Sequence, residues 1–217
     1  MNSATSELAG VLLAAGKGSR FGGDKGLALL PDGVPMALRS ALNLRAAVSD
    51  VICVVRPEDR ALSDLFAAYG FDVVTAYDAE LGMSASLQAG VLAAGDASGW
   101  ILALADMPLI ELATYQCLVA EFMVARKITV PCLKPAAISA TNAAVAAKDK
   151  DIVEEVVYGH PVIFPSRFRQ ELLALRGDRG AKKVLHQNKE QIHQVFVDDP
   201  GVLRDFDTPA ALQRLFI

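Results

Sequence analysis

Short apolar runs, many of them β-branched, alternate with longer amphipathic stretches along this chain, and that alternation constrains its architecture more than any other feature. Leu8–Ala14, Asp50–Val55, Phe71–Ala76, Trp100–Ala105, Lys127–Pro131 and Ile192–Val197 read as strands. Leu38–Ala47, Glu58–Tyr69, Ser84–Ala94, Leu112–Arg126 and Phe168–Leu175 have the length and apolar spacing of helices packed on a sheet. Strand and helix in turn predict an α/β fold with a Rossmann-like, doubly wound, mainly parallel sheet. Such a sheet is buried on both faces, which a composition of 53% apolar residues supports. Its ligands gather at the carboxyl ends of the strands.

No internal repeat and no proline-serine linker divides the 217 residues, so a single domain is expected. Ala136–Lys150 is alanine-biased and poor in large side chains, and it marks an irregular insertion near residues 133–158. The formal net charge of −4, with no long block of like charges, argues against nucleic acid or an anionic membrane as a partner. The apolar stretches are strand-sized, and Met1 to Gly10 lacks a basic region ahead of a long apolar one, so a cytoplasmic protein is expected. Cys53, Cys117 and Cys132 are widely separated and odd in number, which disfavours a disulfide framework or a zinc knuckle.

The first strand runs into Gly16, Gly18, Gly22 and Gly23, with Arg20 and Lys25 bracketing the turn. Glycines there let backbone N–H groups approach an anion or adopt positive φ. A guanidinium and an ammonium together could neutralise much of a triphosphate. A Walker A loop is excluded, because Asp24-Lys25 follow Gly23 in place of Lys-Ser/Thr. A dinucleotide fingerprint lacks its third glycine, since Phe21 stands there; a longer variant ending at Gly22 stays open, as does a plain glycine-rich surface turn.

Asp106 follows the apolar strand Trp100–Ala105, where a lone carboxylate commonly holds Mg²⁺; its alternative role is a helix cap or turn former before Pro108. Ser84 and Ser86 could cap a helix aimed at a ligand. His160 enters the apolar run Val162 to Phe164 and reads either as a structural histidine or as one lining the substrate's side. His186 and His193 read as surface residues.

In order along the chain stand L-A-A-G-K-G-S-R-F-G-G-D-K (Leu13 to Lys25), G-M-S-A-S-L (Gly82 to Leu87), L-A-D-M-P (Leu104 to Pro108), G-H-P-V-I-F (Gly159 to Phe164), G-D-R-G-A (Gly177 to Ala181) and D-F-D-T-P (Asp205 to Pro209). This series resembles the molybdenum-cofactor nucleotidyltransferases, most closely their cytidylyltransferase branch. The resemblance implies a fold of the nucleotide-diphospho-sugar transferase type that transfers CMP from Mg-CTP to molybdopterin and releases pyrophosphate. It assigns Leu13, Ala14, Ala15, Gly16, Gly18, Arg20, Lys25, Ser84 and Ser86 to the nucleotide, and Arg20, Lys25 and Asp106 to catalysis. Asp106 would coordinate Mg²⁺, with Asp207 or Asp205 as a second ligand, although Asp207 in D-T-P could equally cap a helix. His160, Asp178 and Arg179 fall on the acceptor side. CTP and a phosphorylated pterin are the implied substrates, and a client molybdoenzyme or its chaperone the implied partner. Two other activities remain open: transfer to a sugar or alditol phosphate, and an NAD(P)-dependent oxidoreductase using the Gly16-to-Gly22 turn.

Overall fold

The computed structural model describes residues 8–133, 157–178 and 180–216. Most of the 133–158 insertion, and Arg179, lie outside the described residues. Seven strands form one sheet in the order β3-β2-β1-β4-β6-β5-β7. They are β1 (Ala9–Leu13), β2 (Asp50–Val55), β3 (Asp72–Thr75), β4 (Gly99–Leu104), β5 (Ile128–Leu133), β6 (Val162–Pro165) and β7 (Ile192–Val197). All pairings are parallel except those of β6, which runs antiparallel to both β4 and β5.

The doubly wound, mainly parallel sheet is therefore as expected, with one addition. Val162 to Phe164, read from the sequence as the apolar neighbour of a ligand-lining histidine, is a strand buried at every position. Its four residues carry no polar alternation, because both faces are covered, and so give no period to read.

Helices α1 (Met36–Arg45), α2 (Arg60–Ala68) and α4 (Leu112–Ala125) bury Leu38, Leu44, Phe66, Leu118 and Phe122 against one face of the sheet. Helices α3 (Met83–Ala93), α5 (Arg169–Leu173) and α6 (Lys182–Gln187) bury Leu87, Val91, Leu172 and Val184 against the other. The short α7 (Pro209–Gln213) belongs to a third, smaller cluster in which Phe206 and Leu212 meet Leu30 and Met36. Each large aliphatic or aromatic side chain hidden this way contributes about 1.5–3 kcal/mol relative to exposure.

Two close approaches set the distance between layers. An ideal Cβ on Gly10 of β1 would stand 2.9 Å from Leu44 of α1, and one on Gly90 of α3 would stand 2.3 Å from Val11 Cγ1 and 3.0 Å from Val54 Cγ2. At both positions the packing requires a residue without a side chain. Behind the loop that leaves β4, the buried Asp199 carboxylate accepts from Glu111 N at 2.8 Å, Thr114 Oγ1 at 2.7 Å and Gly201 N at 2.8 Å. That capping was supplied from 88 residues downstream of Glu111, so Asp106 is not needed as the cap of α4.

Two of the three cysteines are core residues, and Cys117 is exposed. Cys53 and Cys132 are buried, and desolvation pushes both thiols up, Cys132 to about 11. His160 sits where the chain enters β6, its N–H donating to Val202 O at 2.9 Å. Its Nδ1 is buried without a hydrogen-bond partner among the described residues. Burial holds the imidazole below the usual histidine range, reinforced by Lys182 and opposed by Asp106 and by the Leu102 backbone.

Two outcomes follow from this packing. Gly90→Ala should lower the unfolding free energy by about 1–3 kcal/mol in urea titration, because the clash with Val11 and Val54 outweighs a helix-propensity gain of about 1 kcal/mol; an unchanged midpoint would show that α3 lifts off the sheet without cost. The depressed His160 pKa contributes stability that is present above the unfolded-state value and is lost as pH falls through it toward the folded value. Between about pH 7.5 and 5.5, spanning the unfolded-state value, the native chain should lose more stability than His160→Gln. Equal losses would contradict this.

Candidate active site

The site is built first by strand register. Leu13 pairs with Val54 on one side and Leu104 on the other, so β1, β2 and β4 end at one level. Two more hydrogen bonds, Ala14 N to Val54 O at 2.9 Å and Ala105 N to Leu13 O at 3.1 Å, continue the ladder past the last paired residues. The glycine loop, Arg56 and Asp106 consequently all leave the sheet together, at the carboxyl edge where a doubly wound fold gathers its ligands.

The loop then folds back on itself. Gly18 and Gly22 take positive φ of 54° and 75°, a region that favours residues without a side chain. An ideal Cβ on Gly18 would stand 3.3 Å from Lys25 Cβ, so the loop lies on the lysine's stem. Lys25 opens a short 3₁₀ turn, Lys25–Leu27, and Gly26 within it packs so tightly that an added Cβ would be 3.0 Å from Leu62 and 3.3 Å from Ala37. The backbone of Lys25 is therefore seated on α1 and α2.

Its ammonium bridges two carboxylates, 2.7 Å from Asp106 Oδ2 and 2.7 Å from Asp207 Oδ1. Arg20 takes the other oxygen of Asp207 at 2.7 Å. Burial alone would lower the Lys25 pKa, but Asp106 and then Asp207 outweigh it and hold the ammonium above the usual lysine range. Asp205 joins them: ligand atoms of Asp106, Asp205 and Asp207 lie within 4.8 Å of one another. Desolvation first, and then Asp207 and Asp106, push the Asp205 carboxyl above its ordinary range.

Asp205 and Asp207 reach this place because Phe206 N donates to Asp106 O at 3.1 Å while the Phe206 ring is buried. Asp207 is not the cap of the following helix. Thr208 is the N-cap of α7, its hydroxyl accepting from Ala211 N at 3.2 Å, and Asp207 is left facing Arg20 and Lys25.

The other anticipated residues are placed less uniformly. Ala14, Gly16, Gly18 and Lys25 line a cleft between the loop and the start of α2, whereas Leu13 is partly buried and Ala15 buried among core residues. Ser84 and Ser86 are 1% and 4% exposed, and neither caps α3. The N-cap is Gly82, and Ser84 N donates to Gly177 O at 3.1 Å. Gly82 has φ 111°, and a Cβ there would stand 2.5 Å from Asp178 Oδ1 and 2.6 Å from Gly177 C. Gly180 similarly leaves room for Met83, whose Sδ would be 2.7 Å from an added Cβ. The G-M-S-A-S and G-D-R-G-A segments thus interlock, which no spacing in the sequence announces. Ser84 Oγ is buried with no partner among the described residues, and Asp178, against Gly82, is exposed. His193 pairs with Glu121 at 2.8 Å, and His186 is exposed.

Arg56 was missed by sequence reasoning. It lines the same cleft as Gly16 and Gly18, bonded to Asp59 through Nε at 2.9 Å and through its terminal nitrogen at 2.8 Å, with Glu58 at 3.2 Å. These bonds, that to Asp59 above all, hold its pKa above the usual arginine value. Its position immediately after β2 was the available signal.

The chain is 28% identical to the purine catabolism protein PucB of Bacillus subtilis over 93% of its own length and 92% of that protein's. It is 29% identical to the nicotine blue oxidoreductase of Paenarthrobacter nicotinovorans, with 95% of each chain covered. Among solved structures, Rv0371c of Mycobacterium tuberculosis superposes with a TM-score of 0.75 at 28% identity, covering 97% of this chain and 98% of that one. A structure of Rv0371c in complex with manganese gives 0.72 at 25% identity, with the same coverage. The sheet and its neighbours share the nucleotide-diphospho-sugar transferase fold. Residues 10–192 match the model of the MobA-like NTP transferase domain, and the chain belongs to that family of nucleotidyltransferases.

Proposed function

We propose that this nucleotidyltransferase transfers CMP from Mg-CTP to the terminal phosphate of molybdopterin and releases pyrophosphate. The observation that supports this most directly is the meeting of Arg20 and Lys25 with Asp106, Asp205 and Asp207 beside a glycine loop. Substitution at phosphorus needs cations on the phosphate oxygens and carboxylates for a hard divalent ion.

The residues fit such an ion: Asp106 Oδ1 is buried without a hydrogen-bond partner, and three carboxylates converge on one point. Bound there with the nucleotide, Mg²⁺ would neutralise phosphate charge. The manganese complex of Rv0371c supports a divalent ion in a chain of this shape. On this reading the backbone from Ala14 to Gly18 cradles the phosphates, Arg20 grips their oxygens bidentately, and Lys25 supplies a point charge near the leaving pyrophosphate. Asp106, with Asp207 and Asp205, holds the metal. Ser84 Oγ, buried without a partner, is the hydroxyl assigned to the nucleoside, with Ser86 behind it.

The acceptor phosphate is already a nucleophile. Alignment with the α-phosphate, not a general base, is what the protein must provide. His160, Asp178 and Arg179 are assigned to the acceptor side, and L-A-A-G at residues 13–16 favours cytosine. The reading includes a single domain acting in the cytoplasm and handing its product to a molybdoenzyme or its chaperone. Among the described residues no helix is long and apolar enough to cross a membrane.

The name of the Paenarthrobacter relative favours a second reading, an oxidoreductase using NAD(P). Thermal unfolding with CTP, GTP, ATP or NADPH, each with and without Mg²⁺, separates the two. CTP with Mg²⁺ should stabilise the chain most, by about 2.7 kcal/mol at one hundred times Kd; stabilisation by NADPH alone would overturn the proposal. Pyrophosphate release with molybdopterin, and none with sugar or alditol phosphates, is the expected acceptor result. Asp106→Ala should cut that release by more than about 100-fold while leaving the circular dichroism spectrum unchanged, and an active variant would refute the metal assignment.

A further inference from the structure

The groups assigned above to opposite partners are bonded to one another. Lys25 and Arg20, the cations for the triphosphate, occupy oxygens of Asp106 and Asp207, the carboxylates for the metal, at 2.7 Å in each of the three contacts. The Lys25 ammonium stands between two of the three carboxylates that would ligate a divalent ion. It is also the better buried of the two cations, its side chain 15% exposed against 66% for Arg20. A compact ammonium at that point neutralises the carboxylates much as a metal would.

We propose that Lys25 is a resident counterion of the carboxylate cluster, displaced when a divalent cation binds, so that metal and nucleotide binding are coupled through an exchange of its partners. This rests on the metal and triphosphate assignments above. Before exchange, the ion pairs are ammonium with Asp106 and Asp207. Afterwards they are metal with those carboxylates and ammonium with a phosphate. The exchange needs no covalent step and no backbone movement. Gly26 is wedged against Leu62 and Ala37 and the Gly18 turn rests on the Lys25 stem, so the side chain alone swings.

Either ligand by itself meets a site whose groups are already paired, and gains less than it would from free ones. Bound together, each supplies the partner that the other displaces. Coupling between ligands is commonly 5–150-fold, and exchange of a part-buried ion pair belongs within that range. The glycine loop takes part because Lys25 cannot leave the carboxylates without changing the charge presented to the phosphates beneath that loop.

The test is Mn²⁺ binding without nucleotide, followed by electron paramagnetic resonance at fixed ionic strength. Lys25→Met, which keeps the stem and removes the charge, should bind Mn²⁺ at least about tenfold more tightly than the native chain, within the usual range of coupling. Lys25→Gln should do the same, and guards against a folding defect particular to one variant. Lys17→Met, removing the loop's other lysine, should leave affinity within twofold, about the scatter expected of a screened surface charge. Native affinity in both Lys25 variants, or an equal gain in Lys17→Met, would overturn the proposal. Adding Asp106→Asn to Lys25→Met should abolish the gain. If Mn²⁺ binds tightly in Lys25→Met but is indifferent to Asp106→Asn, the metal assignment itself falls and takes the exchange with it.

Discussion

The position of β1, hydrogen-bonded on both edges, governs everything else in this molecule. Its five residues pair with β2 and β4 in matching register, and its side chains alternate between the two cores, Leu12 in one and Val11 in the other, both fully buried. A slip of one residue would invert those faces. It would also carry the start of the glycine loop about 3.3 Å along the strand axis, out of line with Arg56 and Asp106. The stabilisation of the two cores therefore also sets the level of the site. Layer spacing depends on the same strand, through the contacts of Gly10 with Leu44 and of Val11 with Gly90.

Much of this was legible in the amino-acid sequence, because the periods of apolar residues report burial on one face or two. Six strands and the main helices lie where their patterns put them, with ends displaced by a residue or two. Lys25 and Asp106 were legible for a separate reason: both follow strands whose carboxyl ends must lie together. Other features depend on contacts between distant segments. Asp205 and Asp207 are brought to Asp106 by Phe206 N, and the cap that frees Asp207 is a neighbouring threonine hydroxyl. β6 is too short and too evenly apolar to show a period. Ser84 and Ser86 looked like caps because serine often is one, whereas Gly82 begins α3 under the close approach of Gly177 and Asp178. Arg56 is marked in the sequence only by its place immediately after β2.

The relatives sharpen what such an architecture separates. PucB and the nicotine blue oxidoreductase carry names from different processes, yet each aligns over more than 90% of both chains. The edge that carries the glycine loop, Lys25 and Asp106 is made by strand ends and by turns pressed onto helices, with little freedom to vary. The entry to β6 and the close approach of Gly177 to Gly82 are made by loops rather than by strand ends. Differences of process among proteins of one shape are most easily written there, where the sheet does not dictate the backbone.

The small third cluster has a consequence of a different kind. Phe206 and Leu212 dock on Leu30 and Met36, away from the two large cores, and hold Asp205 and Asp207 in place. Local opening of that patch would withdraw two of the three acidic side chains and leave the sheet closed. Two of the three carboxylates at the sheet's carboxyl edge thus depend on a small cluster, and parts of a fold can open at a lower free energy than the whole chain. A partner or a substitution touching only the C-terminal strap would act as a dimmer on the chemistry without melting the scaffold.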